Sequence, residues 1–319
     1  MSPYPVSKDP SAGAKAHASI DAAGLTSVGR ERTGNEDAYL IATLQRSMIV
    51  HDARPEDARG WFAGGSAGTL LVVADGMGGE GGGDVASRVA VNTVASYLLN
   101  FLPWVPAPSA ARAPRDASSP GIRDQLASAL VIGDSTVKTE GARTGTPLMA
   151  TTLTMALVLW PMLYVAHVGD TRCYLLHSGQ LSRLTTDHTM AQRLAEGAAD
   201  PIDPASHLHH ILWNYLGGRE QLLRPQIAKL GLDLGDVLLL CSDGLTKHVA
   251  DEQIAQLLSA EEPSSRRCER LVALANAEGG SDNVTVVVAN ARAAPDLPPE
   301  RDYHVSRTVA GGVAAERAS

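Results

Sequence analysis

The chain has 319 residues, of which 44% are apolar but only 4% aromatic, and carries a formal net charge of −8. That length is enough for one large domain or two small ones, with a sizeable core built from Val, Leu, Ile and Ala rather than from rings. The acidic balance argues against a general affinity for nucleic acid or anionic membranes, and so few rings leave no platform for stacking bases.

Residues 1–19 mix Ser, Pro, Ala and Lys without periodicity and read as a disordered tail. A strand is predicted over residues 20–29 and a second over 37–44. Between them, RERTGNED crowds Arg30, Arg32, Glu36 and Asp37 onto a strand-to-strand connection. Such a cluster is either a solvated turn or a site holding both an anion and a cation. Residues 45–68 read as an irregular loop. Residues 70–87, LLVVADGMGGEGGGDVAS, are of a different kind: four apolar residues lead through Ala74 to Asp75, and six of the next eight residues are glycine. The apolar run is that of a strand covered on both faces. Glycines beyond it let the backbone bend sharply and approach whatever the carboxylate holds. Taken alone, the stretch also reads as a glycine-rich turn between a strand and a helix, so the rest of the chain has to decide.

Val85, Val89, Val91, Val94, Ala95, Leu98 and Leu99 follow at near-helical spacing, predicting a helix over 84–102 that ends at Pro103, Pro106 and Pro108. A Pro/Ala/Ser loop fills 103–120, and a second helix is expected over 122–139. From Met149 the segments TTLTMALVLW, LYVAHVGD and RCYLLHSGQL predict an antiparallel meander of at least three strands. A helix is expected over 189–196, and residues 197–224 read as a flap or irregular insertion. The strand-like QIAKLGL precedes a buried strand over 236–241 that ends in Asp243. Helices over 251–258 and 264–277 lead to a last strand, NVTVVVAN, introduced by Asp282. Residues 293–319 read as a second disordered tail. The fold class implied is α+β: an αββα sandwich of two mostly antiparallel sheets flanked by pairs of helices.

Three widely separated cysteines, Cys173, Cys241 and Cys268, suit neither a disulfide framework nor a zinc knuckle. They read as reduced core residues of a cytoplasmic protein. Neither an export signal nor a membrane span is expected.

Five aspartates, Asp37, Asp75, Asp170, Asp243 and Asp282, fall at strand ends or their turns. Asp is common in turns for its own reasons, but five converging carboxylates would repel one another without a cation among them. With oxygen donors only, the natural occupants are hard divalent ions such as Mg²⁺ or Mn²⁺. Two such ions about 3.5–4 Å apart would activate a bridging water for attack on phosphorus. Arg32 would add a planar donor fork matched to phosphate oxygens.

RERTGNED, VVADGMGG, MATTLT, HVGDTR, LTTDHT, LLLCSDGL and GGSDNVTVVV stand in the order of the motifs of the metal-dependent type 2C serine/threonine phosphatases in their bacterial form, and the chain resembles that family over roughly residues 20–292. The resemblance implies a catalytic β-sandwich domain with two Mn²⁺ or Mg²⁺ ions in the cleft between the sheets. It implies that Asp75 bridges both ions, that the Gly76 carbonyl serves the second, and that Asp243 and Asp282 serve the first. Glu36 and Asp37 then resemble acids that act through metal-bound water. Arg32 resembles the phosphate-binding arginine, and Asp170, with Asp243, the site of a third, more weakly held metal. Arg30 is off the motif's spacing and reads as a surface residue. Three departures stand out: Glu80 replaces a histidine of bacterial members, Met77 replaces a histidine of animal members, and Ala150 replaces a glycine. A serine alkoxide leaving group needs a proton source, and Met77 has none to give.

His207, His209 and His210 could suggest a metal site, but a solvated loop explains them, and His167 reads as a packed histidine. The expected activity is hydrolysis of phosphoserine and phosphothreonine in proteins, opposing a serine/threonine kinase that would be the cognate partner, by a monomer that binds neither nucleic acid nor membrane. A non-catalytic sensor of phosphorylated proteins and a phosphatase of small phosphorylated metabolites are the alternatives. No cysteine has the neighbours of a nucleophile, which fits direct attack by water.

Overall fold

A computed structural model describes residues 18–50, 60–78, 82–101, 121–195, 203, 206–219 and 221–294. The two predicted tails lie almost wholly outside these residues, as do the whole of the 103–120 loop, residues 197–202, 204, 205 and 220 of the flap, and Glu80. In chain order come β1 (Ala18–Ser27), β2 (Asp37–Val50), β3 (Gly60–Met77), α1 (Gly82–Phe101), α2 (Ile122–Thr144), β4 (Ala150–Thr151), β5 (Leu153–Leu159), β6 (Met162–Val168), β7 (Arg172–His177), β8 (Gln180–Arg183) and α3 (Met190–Ala195). Then follow β9 (Leu216–Gly217), β10 (Gln226–Gly231), β11 (Val237–Cys241), α4 (Asp243–Thr246), α5 (Asp251–Ser259), α6 (Ser264–Ala277) and β12 (Val284–Ala293).

The strands form two sheets. One has the order β1-β12-β11-β7-β8; the other runs β10-β6-β5-β3-β4-β9 with β2 also paired to β3, and every named ladder is antiparallel. The period-2 alternation of β3 shows why the sheets stack. Leu70, Val72 and Ala74 pack under Val94 and Leu98 of α1 and Leu126 and Leu130 of α2. Leu71 and Val73 face the other way, against Leu238, Leu240 and Val287 of the opposite sheet. That sheet's outer face, with Leu239, Val286 and Val288, is covered by Ile254 and Leu258 of α5 and Leu271 of α6. Each sheet therefore buries both faces, and the layers read helix, sheet, sheet, helix.

Three expectations are corrected. Residues 45–50 and 60–68 are strand, not loop: β2 continues to Val50 and pairs with β3 from Gly60, with register shifts around Gln45. The polar and glycine-rich composition hid this because a shifted ladder breaks the alternation that periodicity detects. The predicted meander is in fact two hairpins in different sheets. β5–β6 belongs to one and β7–β8 to the other, and Gly169, Asp170 and Thr171 carry the chain across. Near-continuous burial along β5, β6 and β7 erased the cue that would have separated them. Helix α2 also extends beyond the expected residue 139, to Thr144, where Gly145 closes it in a left-handed conformation and its N–H reaches the Gly141 carbonyl.

The crossing is tight. Gly169 has φ +108°, and a Cβ there would overlap Thr152. Substitution Gly169→Ala should lower the unfolding free energy by about 2 kcal/mol or more, read from the urea midpoint. At Gly179, where φ is +80° but nothing lies within 4 Å, the same change should cost about half as much.

Candidate metal centre

The antiparallel register sets Asp37 of β2 directly opposite Asp75 of β3, which puts both side chains on one face of the sheet. Because Leu71 and Val73 point between the sheets, Asp75 continues that face and emerges at the open end of the sandwich. Asp170 arrives on the crossing after β6, Asp243 opens α4 after β11, and Asp282 immediately precedes Asn283 and β12. Strands of both sheets thus deliver carboxylates to one end of the interface.

Polar residues hold the backbone beneath them. Asp75 N–H donates to Thr152 Oγ1 at 3.0 Å, while its carbonyl accepts from Thr152 N at 2.9 Å and Thr151 Oγ1 at 2.9 Å. Gly76 N–H donates to the Glu36 carbonyl at 3.1 Å, and a Cβ on Gly76 would overlap Gly83 and Glu36. Asn283 accepts from Glu36 N–H at 2.9 Å and donates to the Val28 and Gly34 carbonyls at 2.9 Å each, tying the RERTGNED turn to the start of β12. Ser242, fully buried, donates from Oγ to Asp37 Oδ2 at 2.8 Å and accepts from Thr285 N–H at 2.9 Å. Thr152, Ser242 and Asn283 were not singled out from sequence, although each adjoins a motif residue.

Charge is the governing feature. Burial raises the Asp75 carboxyl well above the ordinary range, and the neighbouring charges of Asp37, Asp243, Asp170 and Asp282 push the same way. Burial lifts Asp37 to about 7 and Asp170 to about 8, with Asp243 adding to both. Glu36 is also raised, again mainly by burial. Asp282 alone moves down: burial opposes ionisation there, but the hydrogen bond and charge of Lys247, with the Asn283 N–H and Arg32, outweigh it. Lys247 Nζ lies 2.7 Å from Asp243 Oδ2 and 2.6 Å from Asp282 Oδ2, and Arg32 Nε lies 2.9 Å from Asp282 Oδ1. Lys247 was also missed from sequence; its position four residues after Asp243 was the available signal.

Asp37 Oδ1 and Asp243 Oδ1 are buried with no hydrogen-bond partner, an arrangement that a divalent cation would satisfy and that neutral packing would not. The donors are all oxygens, as hard cations require. Among the described residues, however, no three acidic, histidine or cysteine side chains close around a common point, and Lys247 and Arg32 engage Asp243 and Asp282.

The other candidates stay apart. His207, His209 and His210 form a short 3₁₀ turn with His209 Nε2 3.2 Å from the Asp203 carbonyl. His167 is fully buried between Thr154 Oγ1 at 2.8 Å and the Thr186 carbonyl at 3.1 Å, and burial beside His188 lowers its pKa to about 3. The three cysteines are free and buried, with burial raising Cys241 to about 12 and Cys268 to about 11. None of them is a nucleophile.

The protein phosphatase 2C family model matches residues 44–286. The serine/threonine protein phosphatase PstP of Mycobacterium tuberculosis is 37% identical over 229 residues, covering 69% of this chain; this chain spans only 40% of that relative's length. Protein phosphatase PhpP of Streptococcus pneumoniae is 27% identical over 267 residues, covering 83% of this chain and 95% of the relative. A crystal structure of the catalytic domain of PstP in complex with two manganese ions superposes with a TM-score of 0.63 at 29% identity, covering 86% of this chain and all of that one.

A raised carboxyl pKa has a definite sign in stability. The contribution of Asp37 is complete below its unfolded value near pH 4 and is lost as pH rises through about 7. Substitution Asp37→Asn should therefore raise the melting temperature of the metal-free protein at pH 8 by several degrees, with much less effect at pH 4.5. Thermal melts in chelator at the two pH values measure this.

Proposed function

The chain belongs to the protein phosphatase 2C family, and from that premise we propose that it is a metal-dependent protein serine/threonine phosphatase. The observation that carries the reading is the set of carboxylates from both sheets, with two buried unpartnered oxygens and an arginine at its rim. In this reading Asp75, Asp243 and Asp282, with the Gly76 carbonyl, would hold two Mn²⁺ or Mg²⁺ ions, Asp37 would join the metal site with Glu36 through metal-bound water, and Asp170 would serve a third, weaker site. Bound ions would supply Lewis-acid charge and a hydroxide nucleophile near neutral pH, by lowering the pKa of bound water.

The protein's own groups bind and orient. Arg32 spends Nε on Asp282 Oδ1, so the fork is anchored with its remaining N–H groups left for phosphate oxygens. Its side chain is 54% exposed, which suits recognition of a phosphate carried on a protein surface. Thr151, Thr152, Ser242 and Asn283 hold the acidic backbone in register, so the acids need not rearrange when substrate arrives. The relatives named as a serine/threonine protein phosphatase and as a protein phosphatase support phosphorylated proteins as substrates. A serine/threonine kinase as the opposing partner, a single-copy enzyme and a cytoplasmic setting complete the proposal. No helix among the described residues is long and apolar enough to cross a membrane.

With a phosphothreonine peptide and Mn²⁺, the full chain should turn over, and chelation should abolish turnover. Substitutions Asp75→Asn and Asp282→Asn should each reduce kcat/KM by roughly 100-fold or more. Substitution Arg32→Ala should act mainly on KM, and lysine at that position should rescue poorly because it lacks the fork. Metal-independent turnover, or full activity in Asp75→Asn, would overturn the proposal.

A further inference from the structure

We propose that Lys247 is an internal cation that occupies the acidic centre in the absence of metal and must leave for a divalent ion to bind, so that it sets the protein's metal affinity. The inference rests on the reading that Asp243 and Asp282 hold metal.

Lys247 is the first residue after the single helical turn α4, and its N–H donates to the Asp243 carbonyl at 2.8 Å. That turn aims the side chain back over Asp243. The ammonium then bridges Asp243 Oδ2 at 2.7 Å and Asp282 Oδ2 at 2.6 Å, distances of charge-assisted hydrogen bonds. Its side chain is only 28% exposed, and those of the two acids 21% and 17%, so the contact is poorly screened by water. A surface lysine would have no reason to be so placed; this one links acids from two chain segments, one after β11 and one before β12.

The arrangement bears on ion binding in two ways. One oxygen of each acid is committed to the ammonium, while Asp243 Oδ1 stays buried without a partner. A monovalent ammonium thus relieves the repulsion between the acids and satisfies only part of their acceptor capacity. A divalent ion offers twice the charge and can take oxygens that Lys247 does not reach. Exchange of one cation for the other leaves Asp243 and Asp282 with a positive neighbour in both states. Its consequence is a population penalty: only molecules in which Lys247 has swung out are competent to bind metal, and apparent affinity falls in proportion. Two charge-assisted contacts of this kind correspond to a weakening of roughly tenfold or more.

The test uses the full-length chain stripped of metal and titrated with Mn²⁺ by calorimetry. Substitution Lys247→Met should tighten binding by about tenfold or more, while Lys247→Arg, which keeps the charge, should stay near wild type. In the wild-type protein, acylation of the Lys247 amine, read by peptide mass spectrometry, should be slow without metal and severalfold faster with saturating Mn²⁺. This second measurement needs no variant to fold, and it separates displacement from a mere change in local charge. Equal or weaker Mn²⁺ binding in Lys247→Met, or unchanged amine reactivity at saturation, would overturn the proposal. Substitution Asp282→Asn reports on the reading beneath it: a marked loss of Mn²⁺ affinity supports that reading, so a failure at Lys247 would then be a failure of this inference alone. If Asp282→Asn titrates like wild type, both fall.

Discussion

Carboxylates held at close range in a partly desolvated space are the constraint on which the rest of this molecule depends. Asp37, Asp75 and Asp170 all have their acidity suppressed, first by burial and then by neighbouring carboxylates, with Asp243 acting on all three. Left to themselves, such groups would take up protons or spread apart. Two cationic side chains and a frame of neutral hydrogen bonds keep them in place instead. Lys247 and Arg32 supply the charge, and Ser242, Thr152 and Asn283 supply the frame.

That frame depends on the sandwich. Each acid follows or precedes an apolar strand whose side chains are locked on both faces, so the backbone at the strand end has little freedom. The two sheets meet through Leu71, Val73, Leu238, Leu240 and Val287, and the acids sit where this packing stops. Hydrophobic burial therefore holds the repelling groups together, and the centre trades stability for capacity to take cations. The arrangement resembles many functional sites, where local strain persists because the surrounding core over-determines it.

The crossing between β6 and β7 has a related role. It brings Asp170 from one sheet toward Asp243 of the other, and His188 clamps it: Gly169 N–H donates to His188 Nδ1 at 3.0 Å, and His188 N–H donates back to the Gly169 carbonyl at 2.7 Å. His188 also stacks on His167, packs edge-on to Trp213 and meets Asn214 Nδ2 at 3.0 Å, so Trp213 and Asn214 of the predicted flap region are joined to the same crossing. The His167 and His188 rings, both with depressed pKa values, serve as neutral spacers in this packing.

Much of this was legible along the chain. The doubly buried strand at Leu70–Ala74, the acids at strand ends, the terminal helices and the order of the motifs follow from local composition and spacing, which one-dimensional reading captures well. The extended β2–β3 ladder did not, because its register shifts interrupt alternation, and neither did the assignment of β6 and β7 to opposite sheets, because strands buried on both faces look alike whichever sheet they join. Lys247 was visible only through its spacing from Asp243, for a different reason. Its partner Asp282 is 35 residues away, and an ion pair across that separation exists only once β11 and β12 lie side by side. The sequence by itself determined which residues could make an acidic, cation-seeking centre; the tertiary structure alone decided which charges meet there, because electrostatic neighbours are set by distance in space rather than by distance along the chain.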